Sequence, residues 1–257
     1  MTLSIITINK NNAIGLEKTC ISVTTQIFTD FEWIVIDGAS DDNSIEIIND
    51  YSNKINYWIS ESDTGIYNAM NKGIKKANGE YLLFLNSGDC LVTPQTLENL
   101  LLEIKNNPVA DIYYSDRINA NGTIFIYPKF LDVNYLVKRT LSHQNTLIKK
   151  QLFYDHGFYN ENLKIASDWE FFLKEIWIYK SIFSYINTKI SIFDLNGIGS
   201  QNSIDCYNEN IKVFQNVFNE LSNSIIELYN SKKNNINNYG ILKLLIVLFD
   251  RIKKKLI

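Results

Sequence analysis

The stretch Glu80–Leu91, "EYLLFLNSGDCL", decides how the chain is read. Its first half is an unbroken apolar run of strand length. Its second half stops at Asn86, Ser87 and Gly88 and ends on one acid, Asp89. A strand that is apolar on both faces belongs to a sheet covered on both sides, which is the signature of a parallel sheet. Just upstream, "GIYNAMNKGIKKANG" (65–79) has helical spacing and ends on a helix-stop signal at Gly79.

The same alternation runs back to the N-terminus. "LSIITI" (3–8), "FEWIVIDG" (31–38) and "INYWIS" (55–60) read as strands, and "LEKTCISVTTQI" (16–27) and "SIEIINDYS" (44–52) as helices. Asp42 or Asn43 caps the second of these helices. Strand and helix in alternation with short loops predict an α/β fold, a Rossmann-like mostly parallel sheet with helices on both faces. Ligands of such sheets bind beyond the carboxyl ends of the strands. Asp37, Asp63 and Asp89 fall at three successive strand ends. Each alone reads equally as a turn or cap residue, but the three together predict a site along one edge.

Beyond residue 92 the pattern loosens. "TPQTLENLLLEIKN" (93–106) predicts a helix with Thr93 as N-cap and Pro94 at its first position. "ADIYYSDRI" (110–118) and "TIFIYP" (123–128) predict strands joined at Asn121-Gly122. "LSHQNTLIKK" (141–150) and "SIFSYINTKISIFDL" (181–195) are also strand-like, whereas "ASDWEFFLKEIWI" (166–178) and "DCYNENIKVFQNVFNEL" (205–221) are helical. One main domain over 1–220 is expected, with a nucleotide-binding half (1–91) and an acceptor half (92–220). A C-terminal helical extension (221–257) follows. Its segment "GILKLLIVLFDRIKKKLI" (240–257) has an apolar run too short to span a bilayer, followed by a basic end. It reads as an interfacial helix on an anionic leaflet, or as a packed helix with a solvated end. Fractionation of a chain ending before residue 240 separates the two.

Composition narrows the function. With 46% hydrophobic and 21% charged residues the chain is globular, and a net charge of −3 gives no basic footprint for nucleic acid. The three cysteines are odd in number and form no CxxC pair, which argues for a reducing compartment and against a zinc knuckle. "MTLSIITINK" lacks a basic n-region and a small-residue cleavage site, so it reads as a strand and not as a signal peptide.

At "VIDGASDDNS" (35–44), "SDTGIYNAMNKGI" (62–74) and "ANGEYLLFLNSGD" (77–89) the sequence resembles the family 2 glycosyltransferases, whose fold is GT-A. "SDTGIYNAMNKG" is close to a subgroup from bacterial polysaccharide and O-antigen gene sets. The resemblance continues weakly through "SHQ" (142–144) and "ASDWEF" (166–171). It implies an inverting transferase that moves a sugar from a nucleotide-sugar donor, UDP-sugars favoured, to a lipid-linked glycan acceptor. The enzyme would be cytoplasmic and peripheral on the inner face of the membrane, and it would use Mg2+ or Mn2+. Thr7 to Asn9 would border the base, and Asp37 would hydrogen-bond it. Asp63, Gly65 and Asn71 would surround the ribose and diphosphate, Asn86 would reach the ribose, and Asp89 would hold the metal. Asp168 would be the general base, with Glu170 as the fallback.

His143 is a candidate contact to diphosphate or acceptor, or a metal ligand, although a lone histidine is as readily structural. Trp169 is a candidate stacking platform for the acceptor or a core residue. The family commonly carries two or three acids where this sequence reads Asn86-Ser87-Gly88-Asp89, and Gly88 has no side chain to ligate, so the metal rests on Asp89. The chemistry asks for these parts independently: a neutralised diphosphate, a base for the acceptor hydroxyl and a grip on the nucleotide. A nucleotidyltransferase would want a glycine-rich, basic loop after the first strand, and "NKNNAIGLEKT" supplies none. A nucleotide-sugar-binding protein without catalysis is the non-enzymatic alternative.

Overall fold

A computed structural model describes residues 3–107, 109–195 and 208–220. The chain divides into two compact units, Met1–Phe214 and Gln215–Ile257. Of the second, only 215–220 are described, and they are helical. The expectation for 240–257 therefore lies outside the described residues.

The first unit opens as a wound sheet. Strands β1 (Leu3–Asn9), β2 (Glu32–Asp37), β3 (Tyr57–Ser60) and β4 (Tyr81–Phe84) alternate with helices α1 (Ala13–Thr24), α2 (Ser44–Asp50) and α3 (Ile66–Lys76). Then come β5 (Cys90–Leu91), α4 (Thr96–Asn106), β6 (Ile112–Tyr114), β7 (Arg117–Asn119), β8 (Ile124–Phe125) and α5 (Val133–Lys138). The unit continues with β9 (Thr146–Lys149), α6 (Gln151–His156), α7 (Ser167–Lys174), β10 (Phe183–Tyr185) and β11 (Ser191–Phe193).

Seven strands form one sheet in the order β10-β6-β9-β4-β1-β2-β3. The pairs β1–β2, β1–β4, β2–β3 and β6–β10 are parallel, and β9 alone runs antiparallel, between β4 and β6. The apolar runs explain this: Leu3, Ile5, Ile6, Trp33 to Ile36 and Leu82 to Leu85 are essentially buried, so both faces are covered. A second sheet, β5-β11-β7-β8, stands beside it.

Two expected single strands are each divided between the sheets. The 110–118 run breaks at Ser115–Asp116 into β6 of the large sheet and β7 of the small one. The 181–195 run divides in the same way into β10 and β11. Both crossings stay parallel, β6 with β10 and β7 with β11, so the chain leaves the large sheet twice in register. Glu103 holds the second crossing: its carboxylate accepts from the N–H groups of Asn187 and Thr188 and from both their side chains.

Local corrections follow from capping. α4 starts at Thr96 after Gln95, and Thr93-Pro94 forms the turn before it, with the Thr93 N–H donating to Thr96 Oγ1. "SHQN" is not strand: His143–Asn145 is a 3-10 turn leading into β9. Asp42 does brace α2, accepting from Ser44 N, and it also accepts from Ala13 N. Gly79 is not a left-handed helix stop, because α3 ends in extended backbone at Ala77. Its reason is close approach. Its N–H donates to Ser4 Oγ, and a Cβ there would come within 2.5 Å of Ser4 N in β1. Backbone cannot yield as a flexible side chain can, so Gly79→Ala is expected to cost about 1–3 kcal/mol in urea unfolding. A loss below the error of that measurement would contradict the packing.

Candidate active site

The carboxyl ends of β1 to β4 carry two clusters. The first is built by Asn9, Asp37, Ser40, Ser60 and Asp63. Asp37 is fully buried, and its carboxylate accepts from Asn9 Nδ2 (2.8 Å), Ser40 N (2.9 Å), Ser40 Oγ (2.6 Å) and Ser60 Oγ (2.6 Å). Burial pushes this carboxyl up, but these bonds outweigh it and hold the carboxyl below its ordinary value. Four bonds use the capacity of a carboxylate. Asp37 therefore ties the ends of β1, β2 and β3 together, and the expected direct contact with a base is not one its lone pairs are free to make.

Asn9 is different. It is 4% exposed, and its Oδ1 is buried without a partner, an orphan acceptor at the strand end. Asp63 accepts from Gly65 N and lies over Gly38, where a Cβ would meet Asp63 Oδ2 at 2.3 Å. Gly65, at φ 139°, begins α3 and is exposed, leaving the first turn of the helix approachable.

The second cluster gathers Asn86, Asp89, His143, Asp168 and Asp194. The turn 86–89 is held from α1: Thr19 Oγ1 accepts from Gly88 N and lies 2.8 Å from Asp89 O and 3.3 Å from Asn86 O. Asn12 Nδ2 donates to Ser87 O, joining this turn to the loop after β1.

His143 stands at the centre of the second cluster. Its Nε2 is 3.1 Å from Asn86 Nδ2, and its Nδ1 is 3.0 Å from Asp168 Oδ2. With Asn86 donating, the imidazole carries its proton on Nδ1 and gives it to Asp168. The other oxygen, Asp168 Oδ1, accepts from Trp169 N and lies 3.0 Å from the Tyr67 hydroxyl, which also lies 2.6 Å from Ile165 O. Asp168 is second in α7 after the N-cap Ala166, so it is not the capping residue. Burial, and then the Asp168 charge, push the Tyr67 hydroxyl far up, so it stays a neutral donor.

Asp89 is 3% exposed, and its Oδ1 accepts from Asp194 N at 2.9 Å. Burial pushes its carboxyl up to about 6. The Asp194 N–H, His143 and Gln144 pull the other way, and the Asp194 carboxylate adds to the rise. Gly88, at φ 103°, leaves room for that second acid: a Cβ at 88 would come within 2.5 Å of Asp194 Oδ2. The position that lacks a carboxylate in sequence is thus filled in space by one from beyond β11. Among the described residues no three His, Cys, Asp or Glu side chains converge as a metal cluster. The oxygen donors a hard cation would use here are the carboxylates of Asp89 and Asp194 and the buried, unpartnered Asn86 Oδ1. The donor set fits Mg2+ or Mn2+ with few protein ligands.

Four sequence candidates lie elsewhere. Thr7 is fully buried inside β1 and accepts from Trp33 Nε1, so it does not border a base. Asn71 is 2% exposed and clamps the 159–161 loop through Tyr159 N, Tyr159 O and Glu161 Oε1, so it does not face a ribose. Trp169 is buried, donates to Leu136 O and packs edge-on against Phe214, which leaves no platform for a sugar. Glu170 bonds Asn160 Nδ2 and Lys174, on a different side of α7. Two residues on a helix are about 200° apart, so Asp168 and Glu170 cannot face one cleft. Tyr67, Thr19 and Asp194 were not singled out in sequence. Only Asp194 had a signal, an acid just after a strand.

A seven-stranded wound sheet with a small companion sheet, and with acids at its carboxyl edge, defines a GT-A transferase domain. Residues 4–162 match the family model "Glycosyl transferase family 2", and the chain belongs to that family and is a transferase enzyme. A PGL/p-HBAD biosynthesis glycosyltransferase of Mycobacterium bovis is 32% identical over 172 residues, 65% of this chain and 67% of that protein. S. aureus TarS 1–349, solved with UDP-GlcNAc, superposes with TM-score 0.71 at 21% identity over 86% of this chain and 66% of that one. The mannosyltransferase PcManGT of Pyrobaculum calidifontis, solved with GDP-Man and Mn2+, gives TM-score 0.59 at 15% identity over 77% of this chain and 58% of that one.

The raised Asp89 carboxyl makes a pH test. A carboxyl that protonates more readily folded than unfolded stabilises the fold at low pH, and that contribution fades as pH rises through about 6. Between pH 4.5 and 7 the metal-free wild type is expected to lose about 2 kcal/mol relative to Asp89→Asn, read by urea unfolding of both. Parallel pH dependences would show that the carboxyl is not so placed.

Proposed function

We propose that the protein is an inverting glycosyltransferase that moves a sugar from a nucleoside-diphosphate donor, most suitably a UDP-sugar, to a hydroxyl of a lipid-linked glycan in bacterial surface-polysaccharide synthesis. The observation that carries this is the Asp168 carboxylate, held between His143 and Tyr67 beside the Asn86–Asp89 strand end. The naming of the M. bovis relative for PGL/p-HBAD biosynthesis, and TarS with UDP-GlcNAc, support the reaction class and the donor.

The chain's residues divide the work. The nucleotide lies along the edge ordered by Asp37, with Asn9 Oδ1 free to accept from a base N–H and the first turn of α3, after Asp63 and Gly65, facing anionic oxygens. Asp168 takes the acceptor hydroxyl proton as that oxygen attacks the anomeric carbon and the nucleoside diphosphate leaves. One displacement inverts the centre and needs no second carboxylate nucleophile. The Nδ1–H of His143 donates to the carboxylate and aims it, as a base oriented by a second group requires. Asp89 and Asp194 would hold a divalent cation, with Asn86 Oδ1 as a third oxygen. The cation would supply neutralisation of the leaving diphosphate, as the Mn2+ in the PcManGT structure suggests.

Asp168→Asn keeps the shape but not the proton acceptor. It is expected to lower kcat by about 10²–10⁴ with donor KM little changed, measured with UDP-sugars as donors. Transfer absent from the wild type, or unchanged in the variant, would favour a binding protein without catalysis. Chelation by EDTA is expected to abolish transfer and Mn2+ to restore it, and full activity in excess EDTA would remove the metal role from Asp89 and Asp194.

A further inference from the structure

Asp168 sits in the first turn of α7, and α7 begins without a side-chain cap of its own. Its N-cap is Ala166, which offers no side-chain acceptor. The acceptor comes from far along the chain. The N–H of Lys164 donates to Glu209 Oε1 at 2.7 Å, and those of Ile165 and Ala166 donate to Glu209 Oε2 at 2.8 and 3.1 Å. Glu209 is buried and belongs to the helical stretch 208–214. Successive N–H groups converging on one anion make a backbone nest, and a carboxylate ahead of a helix N-terminus is favoured by the helix dipole. Hydrogen bonds of this charge-assisted kind are the strong ones.

The same backbone is gripped from its other side. The Tyr67 hydroxyl lies 2.6 Å from Ile165 O and 3.0 Å from Asp168 Oδ1. The 208–214 stretch makes a second contact just past the acid, where the Phe214 ring meets Trp169 edge-on at 5.1 Å. Trp169 N in turn donates to Asp168 Oδ1. The chain is thus held at 164–166 and at 169, with Asp168 between. Where α7 starts decides where this carboxylate stands against His143 Nδ1, 3.0 Å away. A group misplaced by about 1 Å can cost on the order of 10²-fold in rate. Asp168 and Glu209 both lie beyond residue 162, where the match to the family model ends.

We propose that Glu209 is a positioning residue for Asp168: it fixes the 164–166 backbone, and through it the carboxylate that takes the acceptor proton. This deepens the transferase reading and rests on it for the role of Asp168. A brace of the fold alone would make the same bonds, so the test reads coupling to Asp168. Glu209→Ala removes the acceptor altogether. Glu209→Gln keeps the size but replaces one acceptor oxygen with a donor, so it restores part of the nest. Glu209→Ala is expected to lower kcat about 10–100-fold with donor KM within about twofold, and Glu209→Gln to fall between it and wild type. In an Asp168→Asn background Glu209→Ala is expected to change kcat less than about twofold, because a residue that acts only through the base has nothing left to position. A third reading needs no turnover. The chain has two histidines, and the imidazole N–H resonance that Asp168→Asn displaces marks the His143–Asp168 pair. Glu209→Ala is expected to displace it too. If thermal unfolding shows the alanine variant unfolded, the glutamine variant carries the same three readings.

Four outcomes overturn the proposal: an unchanged kcat, an equal fold-loss in the wild-type and Asp168→Asn backgrounds, a loss carried by donor KM, or an unmoved imidazole resonance. The second and third would leave Glu209 a brace of the fold. Failure of the transferase reading shows separately, as Asp168→Asn transferring as well as wild type, and the resonance then still decides whether Glu209 places Asp168.

Discussion

The site depends on one imidazole. His143 touches Asn86 through one nitrogen and Asp168 through the other, and so joins the wound half of the sheet to the helix that carries Asp168. A neutral histidine can satisfy both partners only in a single tautomer. Each contact therefore fixes the other, and the position of the Asp168 carboxylate relative to the 86–89 turn follows. Hydrogen bonds to charged groups are each worth about 1.5–3 kcal/mol in buried surroundings. That is enough to hold the carboxylate in one rotamer against the entropy of leaving it loose.

Around that bridge the molecule separates holding from reacting. Asp37 has all its acceptor capacity spent on Asn9, Ser40 and Ser60, and in return Asn9 keeps an unspent carbonyl at the strand end. Thr19, inside α1, pins the 86–89 turn so that Asp89 is held in burial, where its carboxyl is pushed up to about 6. The glycine at 88 has two physical grounds. Its backbone is left-handed, and the space its side chain would occupy belongs to Asp194. An acid from 105 residues downstream in the chain stands where the side chain of a neighbouring acid would.

Much of the wound sheet was legible because burial on both faces writes a continuous apolar run, as in Ile5–Ile8 and Leu82–Leu85. The second half was less legible. "ADIYYSDRI" and "SIFSYINTKISIFDL" look like single strands, since a chain crossing from one sheet to the next keeps its apolar character. The break at Ser115–Asp116 shows only when the partners are known. Among the site residues, the strand-end acids were readable from position. Thr7 and Asn71 were misplaced, and Trp169 was left between platform and core, because their types suit a ligand as well as a core, and what decides is whether Trp33, Tyr159 or Leu136 has already taken their polar atoms.

By itself the sequence determined the alternation of elements, the sheet edge where acids collect, and the membership of the 35–44, 62–74 and 77–89 blocks in a glycosyltransferase pattern. These are local properties, set by periodicity and by the short-range chemistry of turns. Only the tertiary structure decided which distant side chains stand together. His143 with Asp168, Tyr67 with Asp168, and Asp89 with Asp194 are pairings across 25 to 105 residues of chain. Such pairings depend on how two sheets cross and on which polar atoms the packing leaves unspent, and neither quantity is written in any one segment.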